Sequence, residues 1–456
     1  MVSKTVLRWL TLAITRFGVI LIAAAGGFIF NPSPLSAAEE DSSAITVVLA
    51  GDVAPTSGSP TFNVSGVPLE DPFDEPMVAS NGNVVFISDL SDGNEGIFFK
   101  KNNKSASFKL ISATNVAIPG AFTPDDYDGP AMSQNGKIAF VASGSSADAV
   151  VRVKDPNKGT LEIIAKTGDT APGTGGAKFD DFDDLAVNDK GDVAFIATYT
   201  PDGGSTFKTG VFLSTKKGIV PIVLKGDALP GTGGTADGTF AADFDGPWLN
   251  NKDDVAFAAD DIDAFPSFEG SIFLKRGKKG ATLESLLLMG STVAGGSVTS
   301  IGVGRPGLVN GPALAFTAET SGPVESVVGV VVPGFPPLVC VKRGDSAPDT
   351  TATFDAGEAP FGNPTISNNA IEFHSDLLGD AANPQGIFTC TIFKKKLDVR
   401  EAVLISDPKP TGSWGNIEED SSSNVWIVFV DEDNPPGPVG VFITKKPGHE
   451  PTKDKN

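Results

Sequence analysis

Apolar residues in this chain come in short runs bounded by Gly, Asp, Asn and Lys, and the runs recur. The pattern is fullest at Asn188-Asp189-Lys190-Gly191-Asp192-Val193-Ala194-Phe195. Related segments end at Phe86, Phe140, Phe257, Phe316, Phe373 and Phe429, at intervals of roughly 60 residues. Units of that size cannot bury their own faces, so they must stack on neighbours. A length of 456 residues would otherwise suggest several domains; the repeat argues for one large closed or stacked array.

Each unit reads as four strands. In the third, Asp184 to Asn188 is strand A, Asp192 to Tyr199 strand B, Gly210 to Thr215 strand C and Ile219 to Lys225 strand D. Asn188 to Gly191 supplies a hairpin turn between A and B, with Gly191 free to take positive φ. Strand B is apolar on both faces, as in Val193-Ala194-Phe195-Ile196-Ala197, which is how a strand covered on both sides reads. Blades stacked about an axis give that cover. The small Ala before Phe (Ala139, Ala194, Ala256, Ala315) lets the next blade come close. Strand D ends in Gly-Asp (Gly51-Asp52, Gly168-Asp169, Gly226-Asp227, Gly344-Asp345), and a Pro/Gly/Thr loop then leads to the next strand A.

The order of strands predicts closure. Ile45 to Ala50 is a strand D with no A, B or C before it, and Val439 to Thr444 is a final strand C with no D after it. The expected fold is therefore all-β, a seven-bladed β-propeller of four-stranded blades, with Ile45–Ala50 completing the last blade and removing a sheet edge. It should occupy residues 39–446 as a single domain.

Ahead of it, Lys4, Arg8 and Arg16, an apolar run from Phe17 to Phe30 and small residues up to Ala38 are the parts of a secretory signal over residues 1–38. An uncleaved membrane anchor is the alternative. Cleavage would leave no membrane span, and export would place the protein in the periplasm or outside the cell. Residues 447–456 form a polar tail. The chain carries a formal charge of −21, which repels nucleic acid and attracts cations or a basic protein partner. Nothing in it calls for a second copy, so a monomer is expected. Two cysteines do not make a disulfide scaffold, although a bridge is permitted in an oxidising compartment.

Charge divides by loop class: Asp and Glu gather in the D-to-A and B-to-C loops, Lys in the C-to-D turns such as Lys100, Lys154 and Lys275. Just before strand A an aromatic residue, or Val303 in the fifth unit, precedes Asp or Gly: Phe73-Asp74, Tyr127-Asp128, Phe182-Asp183 and Phe244-Asp245, then Val303-Gly304, Phe361-Gly362 and Trp414-Gly415. Strand A lines the axis, so these positions ring one mouth of the channel. Asp126, Asp181 and Asp243 add to the same side. Clustered oxygen donors suit Ca²⁺, with Asp126, Asp128, Asp181, Asp183, Asp243 and Asp245 as ligands. The alternative is that each Asp bonds its own backbone. The four aromatic residues are either ligand-stacking walls or packing between blades.

The sixth unit breaks the pattern, with Ile371-Glu372-Phe373-His374 where sister copies are small or apolar. Glu372, His374 and Cys390 offer a zinc or reactive site, against a locally satisfied polar pair. Cys390 and Cys340, in the preceding blade, are alternatively a disulfide if their side chains face each other across sheets about 10 Å apart. No nucleophile elbow, P-loop or dinucleotide fingerprint occurs, and the Gly-rich tracts precede strands, where they make poor phosphate cradles.

Asn188, Gly191, Ala194 and Phe195, with Gly168-Asp169 and Pro172-Gly173 before them and Gly210-Val211-Phe212 after, resemble the tandem NxxGxxAF-repeat proteins, a family of secreted bacterial proteins. The resemblance covers nearly all of the chain after residue 38. It implies export and repeated β structure, and no activity. The C-terminal sorting anchor common in that family has no counterpart at Lys445 to Asn456, which points to release rather than tethering. The reading is a binding or scaffold module with an acidic ligand face. A carboxylate-dependent hydrolase or lyase acting on an extracellular polymer is the first alternative, and a passive matrix component the second.

Overall fold

The computed structural model describes residues 44–446 apart from 63–72, 103–106, 202–206, 232–243, 260–269, 306, 323, 355–359, 368–369, 382–383, 394–395, 405–416, 424–425 and 432–439. The expected signal peptide, the polar tail and Asp243 lie outside the described residues. Among those described there is no helix, and so none long and apolar enough to cross a membrane.

Strand β1 (Ile45–Leu49) comes first. The first blade is β2 (Phe73–Val78), β3 (Val84–Asp89), β4 (Glu95–Lys100) and β5 (Lys109–Ala113); the second is β6 (Asp126–Met132), β7 (Ile138–Gly144), β8 (Ala147–Asp155) and β9 (Thr160–Lys166). The third is β10 (Lys178–Val187), β11 (Val193–Thr200), β12 (Lys208–Thr215) and β13 (Gly218–Leu224), and the fourth β14 (Phe244–Leu249), β15 (Val255–Ala259), β16 (Ser271–Lys275) and β17 (Leu283–Leu287). The fifth has five strands, β18 (Thr292–Val293), β19 (Gly296–Gly302), β20 (Leu314–Thr320), β21 (Ser326–Val331) and β22 (Leu338–Lys342). The sixth is β23 (Thr365–Ser367), β24 (Ala370–Asp376), β25 (Gln385–Phe393) and β26 (Lys396–Leu404); the last holds β27 (Ile417–Ser422), β28 (Trp426–Asp431) and β29 (Gly440–Lys445).

β1 pairs antiparallel with β29, Ile45 opposite Ile443 and Leu49 opposite Gly440, so the chain's two ends share one sheet as the strand count requires. The molecule is a seven-bladed β-propeller. One departure from the expected plan is the β18–β19 hairpin, which adds a short fifth strand to blade five. The other is that β10 starts at Lys178, earlier than the sequence pattern suggests, because its polar first half still pairs with β11.

The repeat residues each have a structural task. All seven strand-B Phe residues are fully buried. Phe86, Phe195, Phe257, Phe373 and Phe429 stack on a strand-C Phe of the same blade with centroids 5.8–5.9 Å apart, Phe195 on Phe212 for example. In four of these five blades a glycine stands two residues before that partner, where there is little room for a side chain: a Cβ on Gly96 would lie 2.9 Å from the Phe98 ring; in the fourth blade the position is Ser271. The Asn of the A-to-B turn closes its turn and ties blades together. Asn188 Oδ1 accepts from the Lys190 and Asp192 amides at 3.0 Å, while its Nδ2 donates to the Asn250 carbonyl of the next blade at 3.1 Å. Asn250 does the same towards Val309. At the end of strand D, Asp52, Asp169, Asp227 and Asp345 each accept from the amide three residues back, at 2.9–3.1 Å, after a glycine with φ near 90°. The innermost strands touch one another round the axis, β2 with β6 and β27, β10 with β6 and β14.

Candidate functional site

Strand A of blades one to four carries a bulge in the same place, between Asp74 and Met77, Asp128 and Ala131, Phe182 and Leu185, and Asp245 and Trp248. A bulge adds a residue and re-aims the side chains beside it. Asp74, Asp128 and Asp245 occupy one register, opposite Ile87, Val141 and Ala258, and Asp183 sits inside the third bulge. The four aspartates therefore take equivalent places in blades one to four, but they are not equal. Asp128, Asp183 and Asp184 each bring a carboxylate oxygen within 4.8 Å of the others, two blades supplying one cluster. Asp74 and Asp245 do not join it.

The next position along the strand decides the site. The residue following the aromatic-Asp or equivalent pair is Glu75, Gly129, Asp184, Gly246 and Arg305 in blades one to five. Reading the pair and stopping hid three charged groups from sequence analysis; one more column would have found Glu75, Asp184 and Arg305. Arg305 follows β19 in blade five and reaches over the axis. Its Nη2 forms an ion pair with Asp184 Oδ1 in blade three, and its Nη1 lies 3.6 Å from Glu75 Oε1 in blade one. Blade five can send a side chain across because its own backbone is drawn against blade six: a Cβ on Gly302 would sit 2.1 Å from Asn363 Oδ1, and the Gly304 amide donates to the Pro364 carbonyl at 3.0 Å.

The electrostatics follow from this crowding. Burial raises the pKa of Asp128, the Asp183 carboxylate adds to the rise, and Arg305 offsets part of it. Glu75 is raised too, first by burial and then by Asp128 and Asp74, again with Arg305 pulling down. Glu75 also has φ of 42°, the left-handed region that Gly129 and Gly246 occupy at the same step, and its Oε2 is buried without a hydrogen-bond partner among the described residues.

The remaining candidates fall elsewhere. Asp126 and Asp181 are not in the cluster: each hydrogen-bonds a carboxyl at the start of the neighbouring blade's third strand, Glu95 and Asp148 respectively. Glu95 is pushed up to about 8 by burial, with Asp126 adding to it. Asp126, Asp128, Asp181, Asp183 and Asp245 also accept from the amide of the following residue, at 2.6–2.9 Å, so local capping and clustering coexist. Phe73, Tyr127, Phe182 and Phe244 are corrected from stacking walls to core. Each is buried against the strand-B aromatic of its blade, with centroids 5.7–5.8 Å apart, because alternation turns the residue before the Asp inward. Lys100 and Lys275 are struts rather than a free cationic face, donating to the Val47 and Ile222 carbonyls of the preceding blade.

The zinc or reactive-site reading of Glu372, His374 and Cys390 does not hold. Cys390 pairs opposite Ile371, on the Phe373 side of the sheet, and is bonded to Cys340 of blade five with Cα atoms 6.3 Å apart. Glu372 and His374 alternate onto the other face. There Glu372 Oε1 makes a bent ion pair with Lys446 Nζ at 2.6 Å, and Ser422 donates to Oε2 at 2.9 Å, both from blade seven. His374 is held low by burial, with Asp376 acting the other way.

Solved structures show the same architecture at low identity. An oligogalacturonate lyase from Vibrio parahaemolyticus matches with TM-score 0.50 and 12% identity over 89% of this chain and 99% of that one. Oligogalacturonate lyase in complex with manganese matches with TM-score 0.50 and 11% identity over 89% and 98%. The acylaminoacyl peptidase of Pyrococcus horikoshii matches with TM-score 0.48 and 9% identity over 82% of this chain and 51% of that one, so the chain spans about half of that enzyme's length. At these identities the likeness is one of fold. Among curated proteins, none matches the sequence. The match that places it is to a family of unknown function over residues 35–327, and the chain belongs to that family, DUF7453.

Proposed function

We propose that this propeller is an exported binding protein whose ligand site is the channel mouth, and that a divalent cation between Asp128, Asp183 and Asp184 is part of the bound state. The observation that carries this is the approach of those three carboxylates to within 4.8 Å. Hard cations such as Ca²⁺ sit about 2.3–2.6 Å from their oxygens, so donors on opposite sides of one ion stand about 5 Å apart. Like charges held this close cost free energy that a cation returns. Export is supported by the leader-like N-terminus, by the NxxGxxAF-type repeat and by the Cys340–Cys390 bridge, which persists in oxidising compartments. Calorimetric titration of residues 39–456 with CaCl₂ and with MnCl₂ should give one site per chain, lost when Asp183→Asn and Asp184→Asn are combined. Absence of both heat and a gain in melting temperature with either ion removes the proposal.

The second reading is a carboxylate-dependent hydrolase or lyase on an extracellular polymer. It draws on Glu75 and Asp128, two carboxyls that burial raises above the ordinary carboxylate range beside Arg305, since acid–base chemistry on a polymer uses a pair of carboxyls in different environments. Turnover of any glycan or peptide polymer that Glu75→Gln abolishes would favour it over binding alone.

A further inference from the structure

The cation reading leaves Arg305 to be explained, because a guanidinium already bonds one of the three carboxylates a cation would use. Its attachment is lopsided. Towards Asp184 it makes a close ion pair; towards Glu75 it stands off at 3.6 Å from one oxygen, while the other oxygen has no hydrogen-bond partner among the described residues. Glu75 is thus an acceptor with capacity unused in this state. It is also the residue in blades one to four that holds a left-handed φ at this step without being glycine, a backbone cost that the surrounding structure sustains. Arg305 is partly exposed and sits on a long side chain, so moving its head between two carboxylates on the same mouth requires no backbone change.

Resting on the proposed cation site, we infer that Arg305 is a built-in competitor for that site, bonded to Asp184 in this state and handed to Glu75 when a cation takes Asp184. The exchange conserves charge pairing. The cation gains Asp184 as its third carboxylate, and the guanidinium gains the two-oxygen contact with Glu75 that a planar fork prefers. The consequence is a site set to a weaker affinity than its three carboxylates alone would give, with Glu75 deciding how much of the penalty is recovered. Removing Arg305 should therefore tighten binding, and removing Glu75 should loosen it only while Arg305 is present.

Calcium and manganese titrations of four proteins test this: the unaltered chain, Arg305→Gln, Glu75→Gln and the double variant. Arg305→Gln is expected to bind on the order of tenfold more tightly, the scale of one partly screened charge at this distance. Glu75→Gln should weaken binding several-fold alone and have little effect beside Arg305→Gln, a coupling that simple loss of nearby negative charge would not produce. If the unaltered chain binds and Arg305→Gln binds no tighter, or if Glu75→Gln acts equally in both backgrounds, the competitor role is wrong and the cation site stands. If none of the four binds, both fall together. Should Arg305→Gln not fold, the Arg305 ¹⁵Nε resonance of the unaltered chain gives the answer. Saturating cation must shift it, and an unmoved resonance with measurable binding overturns the inference.

Discussion

Glu372 and Glu75 each stand where sister blades carry a smaller residue, Ala194 in the first case and Gly129 or Gly246 in the second. The surroundings of the two are opposite. Glu372 is wholly buried between blades six and seven, with Lys446 at 2.6 Å and Ser422 at 2.9 Å. Lys446 also donates to Ser367, so the cluster joins strands of both blades next to the closing strand. Glu75 is half-exposed at the channel mouth on strained backbone, with a distant cation and an oxygen left over. A break in the repeat that comes with its own partners is a structural exchange: one apolar contact is traded for an ionic one. A break that leaves strain and unmet capacity is where a ligand or a moving side chain belongs.

If that contrast is right, the largest effect belongs to the buried pair. Glu372→Ala should leave the Lys446 ammonium buried without its counter-ion and cost about 3–5 kcal/mol in denaturant unfolding. The double replacement Glu372→Leu with Lys446→Met should recover most of that loss, because an apolar pair of similar volume replaces an expensive ionic one. Cation binding at the mouth should not change in the double variant. A double variant as unstable as the single one would mean that the pair does more than satisfy itself, and the contrast with Glu75 would blur.

How much of this was legible in the sequence follows the same division. The seven Phe positions, the Asn-Gly turns and the four Gly-Asp ends specified the blades, because each is a local backbone or packing requirement that recurs along the chain, and the stray first strand specified their closure. The half-ring of aspartates was legible for the same reason. Arg305 was not, because its role depends on which blades face each other over the axis, a relation that no single repeat contains. The direction of Glu372 towards blade seven and of Cys390 towards blade five needed only strand alternation; the partners, Lys446 and Ser422, needed the ring. The extra strand β18 escaped because Thr292 and Val293 pair only briefly with Ser297 and Gly296.

A smaller effect should separate strain from function at Glu75 itself. Glu75→Gly installs the residue that blades two and four already use at this step, removing a left-handed glutamate at φ 42°. Relief of that conformation should stabilise the chain by about 1 kcal/mol, visible as a rise in melting temperature, with loss of the 3.6 Å Arg305 contact offsetting little of it. Cation affinity should fall in the same variant. Gain of stability with unchanged affinity would show that the strain at Glu75 serves no purpose at the mouth.

Glu95 gives the mildest test, because it lies between the two cases: buried enough to be perturbed, yet partnered by another acid. Its carboxyl is moved from 4.5 to about 8 by burial and by Asp126, which it hydrogen-bonds. The folded chain therefore keeps a proton there that the unfolded chain releases above pH 4.5. Between those values the native state binds more protons than the unfolded one, so stability declines as pH rises from about 4.5 to about 8, then levels off. Glu95→Gln fixes the neutral form and should flatten that segment of a denaturation-versus-pH curve. Asp181, raised in the same direction by burial and by the neighbouring Asp148 carboxylate, remains and should leave a residual slope. An unchanged slope in Glu95→Gln would mean that Asp126 and Glu95 are solvated apart from each other in solution. The carboxyl pairs between blades would then have to be regarded as surface charge, leaving Glu75 and Asp128 as the perturbed acids of the mouth.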